Sequence, residues 1–198
     1  MYRIDRNDYN ETLKSNIVYT PDVVVAKIWS IIDDSGYKYN TILDPAVGKG
    51  ALMKDKSDCI IVGVDTEDHK LNIDKFVCKK FEETIIEDYV GYQPDLIVMN
   101  PPFAGHPSRL LYPEVFLRHA TDLFGDIPTV MICPPNLRLN QRKSSKRWKW
   151  LFYNIEINGI LTLPIDIFDN VLFHTEVLFM NFPSFAKIKP HSWLEELL

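Results

Sequence analysis

The stretch "DLIVMNPPF", residues 95–103, ends an apolar run in an asparagine, two prolines and a phenylalanine. Proline has no N–H and a fixed φ, so the carbonyls of Asn100 and Pro101 form a rigid row of acceptors beside the Asn100 amide. Such a row suits a planar amino group, whose nitrogen is a poor nucleophile because its lone pair is delocalised into the ring. Hydrogen bonds from both amino protons to the Asn100 side-chain oxygen and the Pro101 carbonyl favour a pyramidal nitrogen with its lone pair localised for attack. Phe103 adds a ring suited to stacking on a flat group. Asn does not titrate at ordinary pH, so positioning carries this chemistry, and the proton leaves after the nitrogen becomes cationic. As plain structure, the same four residues are a proline-rich turn closing a buried strand.

A second chemical stretch, "TILDPAVGKGALM", runs from a short strand through Asp44 to Gly48 and Gly50 and then to an expected helix. Glycines there allow tight turns and bring a ligand close to main-chain N–H groups. A dinucleotide fingerprint needs a third glycine where Met53 stands, and the phosphate-loop spacing is absent. Asp44 can instead hold a positively charged amino group, as on the amino-acid end of S-adenosylmethionine. The next strand ends in "IIVGVDTED", where Asp65 can accept two hydrogen bonds from a ribose diol. The plainer alternative makes Asp44 a turn cap and Asp65 a solvated loop residue.

Both stretches need a sheet that delivers them to one edge. Candidate strands are Thr41 to Leu43, Cys59 to Val64, Lys75 to Cys78, Asp95 to Met99, Thr129 to Cys133, Gly159 to Leu163 and Glu176 to Phe182. Most are short and apolar on both faces, which predicts a mostly parallel seven-stranded sheet covered by helices on both sides. A helix is expected over "YTPDVVVAKIWSIIDD", with Thr20 as cap and Pro21 at its first position. Others are expected over "LYPEVFLRHATDLFG" and "SSKRWKWLFYN".

The chain has 198 residues, 46% hydrophobic, enough for one α/β domain. A net charge of -5 excludes coating of nucleic acid by bulk charge. Locally, "LRLNQRKSSKRWKW" concentrates Arg138, Arg142, Lys143, Lys146, Arg147 and Lys149 beside Trp148 and Trp150. It reads either as a phosphate-contacting segment or as a solvated helix face with Trp packed inward. Cys59, Cys78 and Cys133 show no metal spacing and are expected as buried free thiols; the scattered histidines form no ligand pair, so no metal is expected. No stretch reaches the roughly 18 apolar residues of a membrane span, and the polar N-terminus has no apolar signal core, so a cytoplasmic location is expected.

Taken together, "VYTP", "LDPAVGKG", "VMNPPF" and the closing "ILTLPIDIFDNVLFHTEVLFMNF" resemble the motifs of the S-adenosylmethionine-dependent, adenine-specific DNA methyltransferases in which the cofactor motifs precede the catalytic one. The likeness covers residues 18–182, the expected catalytic domain; residues 1–17 would be an N-terminal extension and 183–198 a C-terminal tail. It implies a Rossmann-like class I methyltransferase fold and N6-adenine methylation, as in restriction-modification. Tyr19 and Thr20 would contact the methionine part of the cofactor, Asp44 and Gly48 its amino end, and Asp65 its ribose, with Ala46 and Gly50 in the same loop. Asn100, Pro101, Pro102 and Phe103 would handle the target base. RNA adenine or a protein glutamine presents a similar conjugated NH2, and a non-catalytic cofactor-binding subunit is a further alternative.

Two departures matter. The family has an Asp-Phe pair after the third strand, where the Asp accepts from the cofactor adenine; here "KKFEE" offers Phe81 as the ring but Lys80 in place of the acceptor. No separate target-recognition domain is expected, so a partner specificity subunit supplies recognition, the substrate is chosen by shape, or there is little sequence specificity; an unpaired base would be easier to present than one flipped from a duplex.

Overall fold

The computed structural model describes residues 20–103, 106–108, 110–139, 141–168, 173–183 and 191–193, the last three by their backbone alone. The apolar runs form β1 (Thr41–Asp44), β2 (Ile60–Asp65), β3 (Lys75–Cys78), β4 (Leu96–Met99), β5 (Thr129–Cys133), β6 (Ile157–Thr162) and β7 (Glu176–Met180). An eighth strand, β8 (His191–Trp193), lies in the stretch expected to be a C-terminal tail and pairs in parallel with β6. The sheet order is β3-β2-β1-β4-β5-β7-β6-β8, with β7 antiparallel to both its neighbours and every other pairing parallel.

Chain order reverses beside β1, which pairs with β2 on one side and β4 on the other. Open α/β sheets bind ligands in the crevice outside the carboxyl ends of the strands at such a point. Asp44 ends β1 and Asn100 follows β4, so the two chemical stretches meet at this crevice.

Burial on both faces follows from period-two side-chain alternation. Ile42, Leu96, Val98, Val130 and Ile132 enter one apolar cluster, whereas Leu43, Ile97, Met99, Met131 and Cys133 enter the other. Helix α1 (Asp22–Ser35) covers the first through Val24, Val25, Ile28 and Ile32, a stripe at helical spacing. It stops at Gly36, whose φ of 74° lets its N–H turn back to the Asp33 carbonyl. Helices α2 (Tyr112–Phe124) and α3 (Lys146–Asn154) lie on the opposite face: α2 buries Phe116, Leu117 and Ala120, and α3 lays Trp150 and Leu151 against the same cluster.

The structure corrects several expectations. Only a single 3₁₀ turn, Ala51–Met53, follows the glycine loop, because the succeeding "KDKSD" offers no apolar stripe to pack and Asp55 turns to φ 62°. Two further 3₁₀ turns, Phe81–Glu83 and Ile86–Tyr89, connect β3 to β4. Of the cysteines only Cys133 is buried; Cys59 is half-buried and Cys78 exposed. Thr20 does not cap α1; Pro21 takes the N-cap position instead of the first helical one, and its carbonyl accepts the N–H groups of Val24 and Val25.

Candidate active site

Thr20 has a different partner. Its Oγ1 accepts a 3.0 Å hydrogen bond from Asn100 Nδ2, tying the start of α1 to the residue after β4 and fixing the rotation of the Asn100 amide. Both residues line a cavity of about 260 Å³ together with Asp44, Ala46, Gly48, Asp65, Pro101, Pro102 and Phe103. Nine of the twelve residues expected at the site from sequence therefore share one cavity. Gly50 shapes the loop from outside it, at φ 79°, Phe81 lines an adjoining cavity, and Tyr19 lies outside the described residues.

The glycine loop is held in detail. Val47 N–H bonds the Val64 carbonyl at 3.0 Å and Gly50 N–H bonds the Val47 carbonyl at 2.7 Å. Val47 packs where β2 has Gly63; a Cβ there would sit 3.0 Å from Val47 Cγ1 and 2.7 Å from Ile73 Cδ1, so β2 needs a glycine to let the loop settle. Trp29 donates from its indole to the Leu52 carbonyl at 2.9 Å, so α1 braces the far end of the loop.

The two carboxylates serve different roles. Asp44 is buried, and Oδ1 accepts from the Ala46 N–H at 3.0 Å. Burial pushes its carboxyl up to about 7, the Asp65 charge adds to that rise, and the Ala46 hydrogen bond opposes it. Asp65 accepts the Gly48 N–H on Oδ2 at 2.9 Å and the Glu67 N–H on Oδ1 at 3.1 Å. It therefore ties the loop to the end of β2 while keeping carboxylate lone pairs for a ligand diol. A cation placed by Asp44 would relieve the cost of its ionisation, and this is an electrostatic fit for the ammonium or sulfonium of an aminoacyl nucleoside.

The adjoining cavity, about 250 Å³, shares Ala46, Asp65, Thr66 and Pro102 with the first. Phe81 forms its wall, its ring wedged against Phe116 at 5.1 Å and His119 at 4.9 Å. Lys80 pairs with Glu83 at 3.1 Å. Glu82 is half-buried at the same cavity and stands 3.5 Å from His106, whose ring packs edge-on against Tyr112 at 5.0 Å. Sequence reading missed Glu82, Thr66 and Tyr112; the position of Glu82 beside the departing "KF" pair was the available signal.

Phe103 is buttressed from the far end of the chain. Phe173 stacks on it at 5.6 Å and 13°, and Phe168 meets it edge-on at 6.1 Å. Phe173 covers one face of the ring, so a planar substrate has only the opposite face to meet. Thus the "LP…F…T" segment recognised in the sequence acts by holding the aromatic of "NPPF".

The basic segment is corrected in part. Arg138 makes two 2.7 Å bonds to Glu176, and Arg147 and Arg118 both reach buried Glu114, so Arg138 and Arg147 are structural partners. Trp150 packs inward beneath the Arg118 guanidinium at 4.2 Å, but Trp148 faces solvent. Among the described residues no cluster of His, Cys, Asp or Glu could hold a metal, and no helix is long and apolar enough to cross a membrane.

No protein-family model and no curated protein matches the sequence. Solved structures do. A Listeria monocytogenes protein assigned as a class I S-adenosylmethionine-dependent methyltransferase superposes with a TM-score of 0.70 at 17% identity, over 96% of this chain and 69% of its own. The methyltransferase subunit of a type I restriction-modification system from Streptococcus thermophilus superposes at 0.67 and 16%, over 84% of this chain; the match spans 45% of that subunit, less than half its length. The magnesium protoporphyrin IX methyltransferase of Synechocystis, solved with S-adenosylmethionine bound, gives 0.54 at 14%, over 80% of this chain and 78% of its own. The fold of this chain is the Rossmann-like fold of the class I methyltransferases, with an eighth strand added beside β6.

Proposed function

We propose that this chain binds S-adenosylmethionine and transfers its methyl group to the exocyclic amino group of adenine in DNA. The observation that carries the reading is the hydrogen bond from Asn100 to Thr20 at the wall of the cavity that also holds Asp44, Gly48 and Asp65. An acceptor row for a planar amino group and a carboxylate pair for a cationic nucleoside thereby stand side by side.

Asp44 would face the cofactor's amino end, Asp65 its ribose, and Phe81 its adenine, with Glu82 supplying the acceptor that Lys80 does not. When bound, S-adenosylmethionine would supply a methyl carbon made electrophilic by its sulfonium, the departing sulfur keeping the C–S electron pair. The chain's own part is to orient the amino group: the Asn100 amide oxygen and the Pro101 carbonyl accept its two protons, and Pro101 and Pro102 hold those acceptors rigid. Phe103, braced by Phe173, presents the remaining ring face to the base. The surplus proton departs to solvent from the cationic nitrogen.

The fold likeness to a restriction-modification methyltransferase subunit, of which this chain spans under half, supports DNA as acceptor and a partner specificity subunit as the source of sequence recognition. Incubation with labelled S-adenosylmethionine and separate DNA, RNA and protein acceptors tests the reading. Label on adenine N6 of DNA supports it; label confined to RNA or to a protein glutamine replaces it with the corresponding alternative.

A further inference from the structure

We propose that the outward face of α3 is a stacking platform for the unpaired bases of a single-stranded nucleic acid, with the cations around it holding the phosphates. The proposal deepens the reading above, on which it rests for taking that strand as the substrate.

Helix α3 buries no residue completely and exposes three large aromatics: Trp148 at 37%, Phe152 at 66% and Tyr153 at 78%. Keeping that much ring surface in water opposes folding, so the exposure calls for a reason outside the core. The Trp148 and Phe152 rings stack on each other, 5.3 Å apart and within 16° of parallel, and Tyr153 stands edge-on to Phe152 at 5.2 Å, so the three form an aromatic ladder whose outer ring surface is left to solvent. The helix already spends Trp150 and Leu151 on the core, so the outward aromatics are surplus to its docking.

Along the loop and the helix the charge has one sign, with the exposed Glu156 following only after the last turn. From Arg138 to Ile155 there is no acidic residue, although the whole chain carries a net charge of -5. Arg138 and Arg147 are bound to Glu176 and Glu114, which leaves Arg142, Lys143, Lys146 and Lys149 as the exposed cations. The Arg138–Glu176 pair anchors the loop after β5 to the start of β7, at the same sheet edge as Asn100, so the first turn of α3 begins on the side where the acceptor row opens.

Aromatics alternating with lysines distinguish the occupant. Lysine is depleted at protein–protein interfaces, and three of these four cations are lysines. Flat rings beside cations are how single strands are held without reading sequence, and a duplex, whose bases are already stacked, cannot use the rings. An unpaired base is also the form most easily presented to Phe103.

The test is fluorescence anisotropy with a labelled mixed-sequence oligonucleotide, single-stranded and as its duplex, measured without cofactor across a salt series. The wild type is expected to prefer the single strand. Trp148→Ala/Phe152→Ala should weaken that binding on the order of tenfold or more and remove the preference. Lys146→Gln/Lys149→Gln should weaken it and flatten its salt dependence. Circular dichroism melts should show both variants folded, since the altered side chains are exposed.

Unchanged single-strand binding in both variants overturns the proposal. So does a wild-type oligomer, seen by light scattering, that the aromatic variant dissolves while strand binding stays intact, because the face is then a protein interface. The two readings fail separately. Platform-dependent strand binding with no methyl transfer to any acceptor sinks the enzymatic reading alone, whereas transfer to DNA with α3 variants binding as wild type sinks the platform alone.

Discussion

Asn100 Nδ2 lies 3.0 Å from Thr20 Oγ1, so residues 80 apart in sequence set the rotation of one amide at the mouth of the cavity. Thr20 is buried and α1 runs directly from it into the core, so the contact is anchored on a rigid element. The amide that should accept from the substrate is thereby oriented before any ligand arrives.

Thr20→Val removes the hydroxyl and keeps the shape. Loss of one such hydrogen bond should cost about 1 kcal/mol of stability, while the methyl-transfer rate should fall about 10- to 100-fold through misplacement of the amide. Thr20→Ser should retain most of the rate. Single-turnover kinetics alongside thermal melts separate the two effects; a rate that tracks only the melting temperature would show Thr20 to be merely structural.

Asp44 should make cofactor affinity depend on pH. Its carboxyl ionises near 7 in the folded chain against 3.8 as a free group, so below neutrality the native state holds a proton there. Binding of a cationic amino end needs the ionised form, and calorimetry should show S-adenosylmethionine binding tighten from pH 6 to 8, a trend lost in Asp44→Asn.

The same shift sets a stability trend of the opposite sense. A carboxyl whose folded pKa is raised contributes fully below its unfolded pKa, and that contribution is lost as pH climbs through about 7. Asp44→Asn should therefore be the more stable protein at pH 8, by on the order of a few kcal/mol, while binding cofactor more weakly. A melt in which the variant is less stable at pH 8 would contradict the placement of Asp44 as a buried, costly charge.

On the proposed seating of the cofactor, Glu82 is the acceptor for its adenine amino group and the neighbouring Lys80 offers none. Lys80→Asp should tighten S-adenosylmethionine binding several-fold, and Glu82→Ala should weaken it on the order of tenfold, about 1.4 kcal/mol. Equal affinities for wild type and both variants would show that adenine is not seated against Phe81.

Arg138→Ala would leave Glu176 buried and uncompensated, since the guanidinium makes both of its 2.7 Å bonds there. Denaturant unfolding should report a loss of about 3–5 kcal/mol, and Arg138→Ala/Glu176→Leu should recover part of it. Removal of an exposed phosphate contact would cost almost no stability, so this measurement distinguishes the two roles of the basic segment.

The strands were legible because burial on both faces writes an uninterrupted apolar run, and the sheet edge followed from where those runs ended in Asp44, Asp65 and Asn100. The Thr20 contact was not legible: a threonine ahead of a helix looks like a cap, and only the folded chain shows that Asn100 competes for its hydroxyl. Nor could charge counting separate Arg138 and Arg147, held by buried glutamates on β7 and α2, from the exposed lysines beside them. The helix expected after Gly50 failed because glycine-loop chemistry does not itself provide an apolar stripe, and "KDKSD" has none. Glu82 escaped notice because its role depends on which way the turn at Phe81 faces.

The central claim, that Asn100 presents an adenine amino group for methylation, is tested most directly by mass spectrometry of DNA nucleosides after incubation with S-adenosylmethionine, wild type against Asn100→Ala. The account predicts N6-methyladenine with the wild type and its loss in the variant, with S-adenosylmethionine binding retained. N6-methyladenine formed at the same rate by Asn100→Ala, or no methylated adenine from a wild type that methylates another acceptor, would contradict it.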